Sequence, residues 1–293
     1  MELRFWLLTL TPLLALLSYA VLLVAVIQRA RRSPMHRFFA LYLLAMAIWS
    51  LGSAMMRLDP ARILTWNKVL LGSGTVAMPL AFFGFVQAFL ERRRNRWLWM
   101  GLVALIGLEV TIALGFAVTS ARLLEGGLLD FDTGAGLFVV GAYWLFLVGF
   151  AAWSLVRAYR RTKDPVLRNR IRYPLLGVAL VILGGSTNVM PTLGAFPIDH
   201  AANLINALLL TYAIFRYQLL DITVVMRRGL AFALGVLIGA VLYMGGLLML
   251  QFVFVNRLQG ALLISLPDAA RLLVVLKPLR ETAQSWVDRL FFP

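Results

Sequence analysis

The chain has 293 residues, of which 61% are hydrophobic and 14% charged, and its formal net charge is +15. Soluble domains have about 45–50% apolar and about 25% charged residues, so this composition excludes an ordinary soluble fold and indicates a polytopic membrane protein. The basic residues lie in short clusters between apolar runs, which is a topology signal and not a nucleic-acid footprint. Without cysteine, and with His36 and His200 far apart, the chain is predicted to hold no metal and no cofactor.

Eight apolar runs are long enough to cross a bilayer as helices. The first, residues 5–27, has no small-residue cleavage site behind it and is therefore predicted to be a retained helix. The other seven are residues 38–56, 64–90, 97–119, 135–156, 174–193, 201–215 and 230–255. A shorter run at 261–276 is interrupted by Pro267, Asp268 and Arg271, and is either a ninth crossing or an interfacial segment. The sequence thus predicts an all-α bundle of eight or nine transmembrane helices.

Arginine and lysine collect in alternate loops, and cytoplasmic loops carry the excess of these residues. The basic loops are residues 28–37, 92–96, 157–172 and 216–228. The N-terminus is therefore expected outside the cell, in a multi-pass protein of the inner (plasma) membrane. The longest outer loop, residues 120–134, is too short for an independent domain. We expect it to be a solvated connector and not a ligand lid.

Polar residues within the spans share one level. Glu109 lies twelve residues past Trp97, hence about 18 Å from the inner end of its helix. An ionisable side chain at that depth is a functional-site hypothesis. At a similar level of other helices lie Tyr143, Ser186, Thr187, Asn188, Asn203 and Asn206. Together with Glu109, these residues either line a pocket for a small polar or amphiphilic ligand or form hydrogen bonds between helices. His200 is interpreted as a loop residue above them.

Two patterns near the C-terminus concern helix association. Small residues at four-residue spacing favour close packing, inside one subunit or in a homodimer; they are Ala231, Gly235 and Gly239. Apolar residues of the tail recur at intervals of three and four; they are Leu276, Leu279, Ala283, Trp286 and Leu290. That spacing is typical of a coiled-coil seam, and it equally fits an amphipathic helix on the inner leaflet.

Residues 212–229 (YAIFRYQLLDITVVMRRG) join a hydrophobic helix to a basic connector, and residues 277–292 (KPLRETAQSWVDRLFF) form the amphipathic tail. Together they resemble the N-terminal multi-helix membrane region of bacterial sensor histidine kinases and related signalling proteins. The resemblance implies a seven-helix sensory bundle (1–229), an additional helix with the uncertain ninth span (230–276) and a cytoplasmic signal-transfer helix (277–293). It also favours a dimeric tail.

The resemblance implies a sensory input domain that passes a signal from the outer face or the membrane to a cytosolic output module. We expect that module to lie outside this chain. The sequence has no glycine-rich nucleotide loop, HExxH helix or GxSxG elbow, so we do not expect an enzyme. A small-molecule transporter or channel is the alternative, although internal repeats, which transport predicts, are not evident.

Overall fold

A computed structural model describes residues 2–27, 33–91, 96–187 and 198–216, and this part of the chain is mostly helical. If residues 60–89 are counted as one segment, it contains seven consecutive helical segments, with a β-hairpin between the fourth and the fifth. The elements are α1 (Glu2–Ile27), α2 (Pro34–Leu58), α3 (Ile63–Trp66), a π-helical turn (Asn67–Gly72), α4 (Ser73–Phe89), α5 (Arg96–Ala113), β1 (Val118–Leu123), β2 (Leu129–Thr133), α6 (Gly136–Arg161), α7 (Pro165–Ser186) and α8 (Ile198–Arg216).

Several predictions concern residues outside the described part. They are the eighth helix with Ala231, Gly235 and Gly239, the ninth span, and the tail from Leu276 to Leu290. Asn188 also lies outside it.

Among the described residues, four helical segments are long and apolar enough to cross a membrane: Pro34–Leu58, Pro60–Phe89, Arg96–Ala113 and Gly136–Arg161. The second of these runs from a short 3-10 turn through α3 and the π-helical turn into α4. Shorter apolar stretches lie within α1 and α8, at Leu8–Val24 and Ile198–Leu210. These helices match most of the predicted spans within a few residues.

The prediction that the fourth span reaches residue 119 was wrong, because α5 ends at Ala113. The backbone N–H of Phe116 donates to the carbonyl of Thr111 (3.1 Å), and that of Gly115 donates to Ile112 (2.9 Å). With Gly115 at φ +82°, this is a Schellman C-cap, which needs a left-handed residue just past the helix. Gly115 therefore terminates the helix in spite of the apolar residues that follow.

α7 begins at Pro165, nine residues before the predicted start at residue 174. Proline is favoured at the first position of a helix, where its missing N–H is not needed. The N–H of Arg168 closes the first turn on the carbonyl of Asp164 at 3.0 Å. The second half of the predicted basic loop is thus the first turns of α7, with Arg168 and Arg172 beside Tyr159 of α6.

The connector between α5 and α6 is a β-hairpin, a two-stranded element that the all-α prediction did not include. β1 and β2 pair antiparallel, with Arg122 opposite Asp130. The Arg122 side chain donates to the Asp130 carboxylate at 3.0 Å. Such exposed pairs contribute at most about 1 kcal/mol, so the pair mainly favours one register. Gly127, at φ +84°, lies in the turn between the strands.

The core of the bundle surrounds α2, which packs against both α1 and α4. A Cβ added at Gly74 of α4 would lie 2.7 Å from the backbone nitrogen of Trp49, so these two helix backbones approach closely, as small residues permit in membranes. Large side chains that are fully buried include Tyr19, Phe39, Leu43, Met46 and Phe83. By contrast, Val103 of α5 and Phe138 of α6 are 70% and 83% exposed, as expected of side chains that face lipid.

Candidate functional site

Buried polar and aromatic side chains cluster where α8 packs against α1 and α2. The polar cluster comprises Tyr19 of α1, Tyr42 and Trp49 of α2, and Asp199, His200, Asn203 and Asn206 of α8. Each of them is at most 8% exposed. Burying hydrogen-bonding groups inside a bundle is costly unless they are paired, so a group of them is a candidate site.

The inner part of the cluster joins α8 to α2 through one hydrogen bond. The Asn206 amide nitrogen donates to the Tyr42 hydroxyl at 2.9 Å. The other amide atom, Oδ1, has no hydrogen-bond partner among the described residues and lies against Gly177 of α7. A cavity of about 10 Å³ beside Asn206 and Tyr42 has room for about one water molecule. The site is therefore tightly packed and not a ligand pocket at this level.

The part of the cluster near the start of α8 is built around His200, which stacks on Trp49 with ring centroids 4.0 Å apart and planes at 15°. Its Nδ1 lies 2.9 Å from Oδ1 of Asp199, which also accepts the backbone N–H of His200 at 2.8 Å. His200 is thus a buried residue of α8, and its interpretation as a loop residue was wrong. The Nε2 of His200 and the Oδ1 of Asn203 have no hydrogen-bond partner within the described chain.

Electrostatic contacts extend the cluster across the bundle. Tyr19 interacts with both Tyr42 and Asp199, so the hydroxyls of α1 and α2 and the carboxylate of α8 share one region. Arg57, in the last turn of α2, interacts with Asp199 as well. Together with Arg57, the cluster therefore combines the carboxylic acid of Asp199, a guanidinium group and several neutral hydrogen-bonding groups from three helices.

Arg57 connects this cluster to the outer hairpin. Its Nε donates to the Gly127 carbonyl at 3.1 Å, and another guanidinium nitrogen donates to the Ser53 carbonyl at 2.9 Å. Phe5 of α1 contacts the same turn, since a Cβ at Gly127 would lie 3.0 Å from its ring. The hairpin turn thus packs against the N-terminal end of α1 and the C-terminal end of α2.

Glu109 belongs to a different group of side chains. Its Oε2 accepts a hydrogen bond of 2.9 Å from the Ser73 hydroxyl, and it interacts electrostatically with Tyr143. Tyr143 packs against an apolar group that includes Leu108, Ile112 and Val140. At this contact between α4, α5 and α6, the half-buried carboxylate of Glu109 accepts a hydrogen bond from Ser73 and lies next to the apolar group.

The predicted site residues are therefore divided. Asn203 and Asn206 lie in the polar cluster, and Glu109 lies with Tyr143. Ser186 and Thr187 donate to carbonyls of their own helix, those of Leu183 and Gly184. The hydrogen bonds and packing contacts of the described residues thus place Glu109 and Tyr143 in one group and Asn203 and Asn206 in another.

Sequence reasoning missed Tyr19, Tyr42, Trp49 and Arg57. Arg57 carried a usable signal, because Ser53 precedes it by one helical turn and can accept from it. The two tyrosines and Trp49 carry no polar signature that distinguishes them from ordinary aromatic core residues. They are recognised as members of the cluster only in the structure, where α8 packs next to them.

Comparison with models of protein families identifies the family of this chain. Residues 10–223 match the model of the family described as the N-terminal 7TM region of histidine kinase. The chain belongs to this family. No curated protein and no solved structure matches it. The matched range of this 7TM region includes most of α1 and all of α2 to α8, so the polar cluster and the hairpin both lie within it.

Proposed function

We propose that this 7TM region is the sensory input of a histidine-kinase signalling protein in the inner membrane. It receives a signal at the outer face or within the membrane and passes it to a cytosolic output module. The observation that carries the proposal is the family match over residues 10–223, which includes most of α1 and all of α2 to α8. A sensory input region is non-catalytic, and its work is to convert binding or strain into a helix displacement.

The orientation with the N-terminus outside is supported by connectivity. The start of α5, the end of α6 and the start of α7 share one face of the bundle, since the hairpin joins the opposite ends of α5 and α6. That face carries the basic residues Arg96, Arg160, Arg161, Arg168, Arg170 and Arg172, which favours the cytoplasmic side. The hairpin and the beginning of α1 share the other face, because Gly127 contacts Phe5.

The proposed signal path runs from the hairpin turn to α8. A displacement of the turn would act on Arg57, which holds the Gly127 carbonyl. Arg57 interacts with Asp199, and Asp199 is in the first turn of α8. In the sequence α8 leads into the basic connector, so a movement of α8 is suited to reach the cytoplasmic side. Glu109, with Ser73 and Tyr143, is proposed as a second place where a small polar or amphiphilic ligand acts.

The test is a fusion of the chain to the cytosolic half of a histidine kinase, assayed by autophosphorylation in membrane vesicles. Tyr42→Phe removes the hydroxyl that accepts from Asn206. It should change the kinase output about threefold, the equivalent of about 0.6 kcal/mol for an average hydrogen bond between membrane helices. Thr111→Val is the control, because this hydroxyl donates within its own helix, to Gly107.

Equal outputs from Tyr42→Phe and the parent fusion would contradict the path through α8. Solute uptake by the chain in proteoliposomes, with no effect on a fused kinase, would instead favour a transporter or channel. Mass spectrometry of small molecules that co-purify with the chain would identify the ligand. Homodimer formation through the tail is tested by disulfide crosslinking of Trp286→Cys, with Arg280→Cys as the outward-facing control.

A further inference from the structure

A long groove opens on the side of the bundle between α2, α4 and α5. Its volume is about 1050 Å³. The groove is deep because the small side chains of Ala45, Ala77 and Ala81 line its bottom. Larger apolar side chains form its edges, and Leu44 and Trp99 are 42% and 72% exposed. The groove therefore presents a concave apolar surface to the lipid phase.

The groove is about as long as one leaflet is thick. On α2 its lining runs from Phe38 to Ile48, ten residues or about 15 Å of helix. On α5 it runs from Arg96 to Leu105, which is a similar distance. The hydrocarbon core of a bilayer is about 30 Å thick, so the groove matches the acyl region of a single leaflet.

One end of the groove carries positive charge. Arg96 is the one charged residue among the described residues that line it, and its guanidinium lies over the Trp97 ring, 5.3 Å from the centroid. None of the ion pairs in the described part of the chain involves Arg96. In the sequence it follows Arg92, Arg93 and Arg94. An arginine and a tryptophan at the end of an apolar groove are the groups that meet lipid headgroups.

We propose that this groove binds an acidic phospholipid, with an acyl chain between α2 and α5 and the phosphate at Arg96. Charge complementarity selects an anionic headgroup, and the leaflet-length groove selects a lipid chain. A second protein helix fits less well, since close helix contacts in membranes use small residues on both sides, and α5 presents Trp99 and Leu102 here. In the proposed orientation Arg96 lies at the cytoplasmic side, which puts the groove in the cytoplasmic leaflet. The lipid site itself does not depend on that orientation.

The first experiment is native mass spectrometry of the purified chain with phosphatidylglycerol or phosphatidylcholine of identical acyl chains. We expect about fivefold preferential retention of phosphatidylglycerol, since one arginine near a headgroup contributes about 1 kcal/mol. Arg96→Gln should abolish the preference. Arg160→Gln, at an exposed arginine on the same face but outside the groove, should keep it. Equal retention of both lipids, or equal losses in the two variants, would overturn the proposal.

The second experiment identifies the occupant of the groove. The chain has no cysteine, so Leu44→Cys accepts a single thiol-reactive benzophenone, and Val139→Cys on the exposed face of α6 is the control. After illumination in mixed vesicles, adducts at position 44 should be richer in phosphatidylglycerol than adducts at position 139. Equal lipid ratios, or crosslinks from position 44 to a second copy or to residues 217–293, would refute the lipid site.

Discussion

Gly177→Ala tests the packing that holds α8 in place. A Cβ at position 177 would overlap Oδ1 of Asn206. The Asn206 side chain is 1% exposed, and its amide nitrogen is held by the Tyr42 hydroxyl at 2.9 Å. The amide therefore cannot turn away without losing that hydrogen bond. We expect the substitution to separate α7 from α8 or to displace Asn206.

Overpacking of this kind destabilises by about 1–3 kcal/mol. A glycine-to-alanine change in a helix also gains up to about 1 kcal/mol of helix propensity, so the comparison needs a matched alanine. Gly185→Ala on the same helix serves, because a Cβ there would have nothing within 4 Å. We therefore expect Gly177→Ala to be less stable than Gly185→Ala by about 1–3 kcal/mol.

The assay is unfolding in mixed micelles with increasing dodecyl sulfate, followed by tryptophan fluorescence. Asn206→Ala alone should lose about 0.6 kcal/mol, the mean for a hydrogen bond between membrane helices. In the double variant it should also relieve the overlap, which gives a favourable coupling of about 1–2 kcal/mol. If Gly177→Ala is as stable as Gly185→Ala, or if the two changes simply add, then Tyr42 does not fix the amide and the reasoning fails.

Three further predictions concern the hairpin, Glu109 and the topology. Arg57→Lys should lose about 1.5–3 kcal/mol, because one ammonium cannot keep the contacts with both Gly127 and Ser53, and amide exchange in the hairpin should accelerate. Glu109→Gln should keep the hydrogen bond from Ser73 and stability within about 0.5 kcal/mol but change the output of the kinase fusion; unchanged output would make Glu109 structural. Glu125→Cys should react with an impermeant thiol reagent in intact cells and Arg160→Cys only after permeabilisation; the opposite pattern would invert the topology.

Hydropathy was sufficient to predict the existence of the helices, because a helix that faces lipid must be apolar along its whole length. Hydropathy did not predict correctly where α5 ends and where α7 begins. α5 ends at Ala113, just before the left-handed Gly115, although Phe116 and Ala117 continue the apolar run. A glycine cap is a local backbone feature that hydropathy does not register. α7 starts early because Asp164 and Pro165 form a good helix start within a basic segment.

The hairpin could have been predicted from its own pattern. Asp130 and Asp132 alternate with apolar residues at the period of a strand, and Gly126 with Gly127 precedes them as a turn signal. Its short length favoured interpretation as a simple connector. The facing of the polar residues could not be predicted, because counting along a helix gives a depth and not a direction. That is why Glu109 and Asn206 were grouped as candidates for one pocket or for hydrogen bonds between helices, although they pack in different places.

α8 contributes most of the polar side chains of the candidate site. It supplies Asp199, His200, Asn203 and Asn206 to the polar cluster, whereas the strongly apolar α1 supplies Tyr19. The apolar residues of α5 are mostly exposed on the surface of the bundle, whereas those of α2 are mostly buried. A helix exposed to lipid has no means of satisfying polar groups, whereas one that packs against neighbours on several sides can carry them. In this family member the search for sensory residues therefore belongs first on α8, which in the sequence also leads into the basic connector.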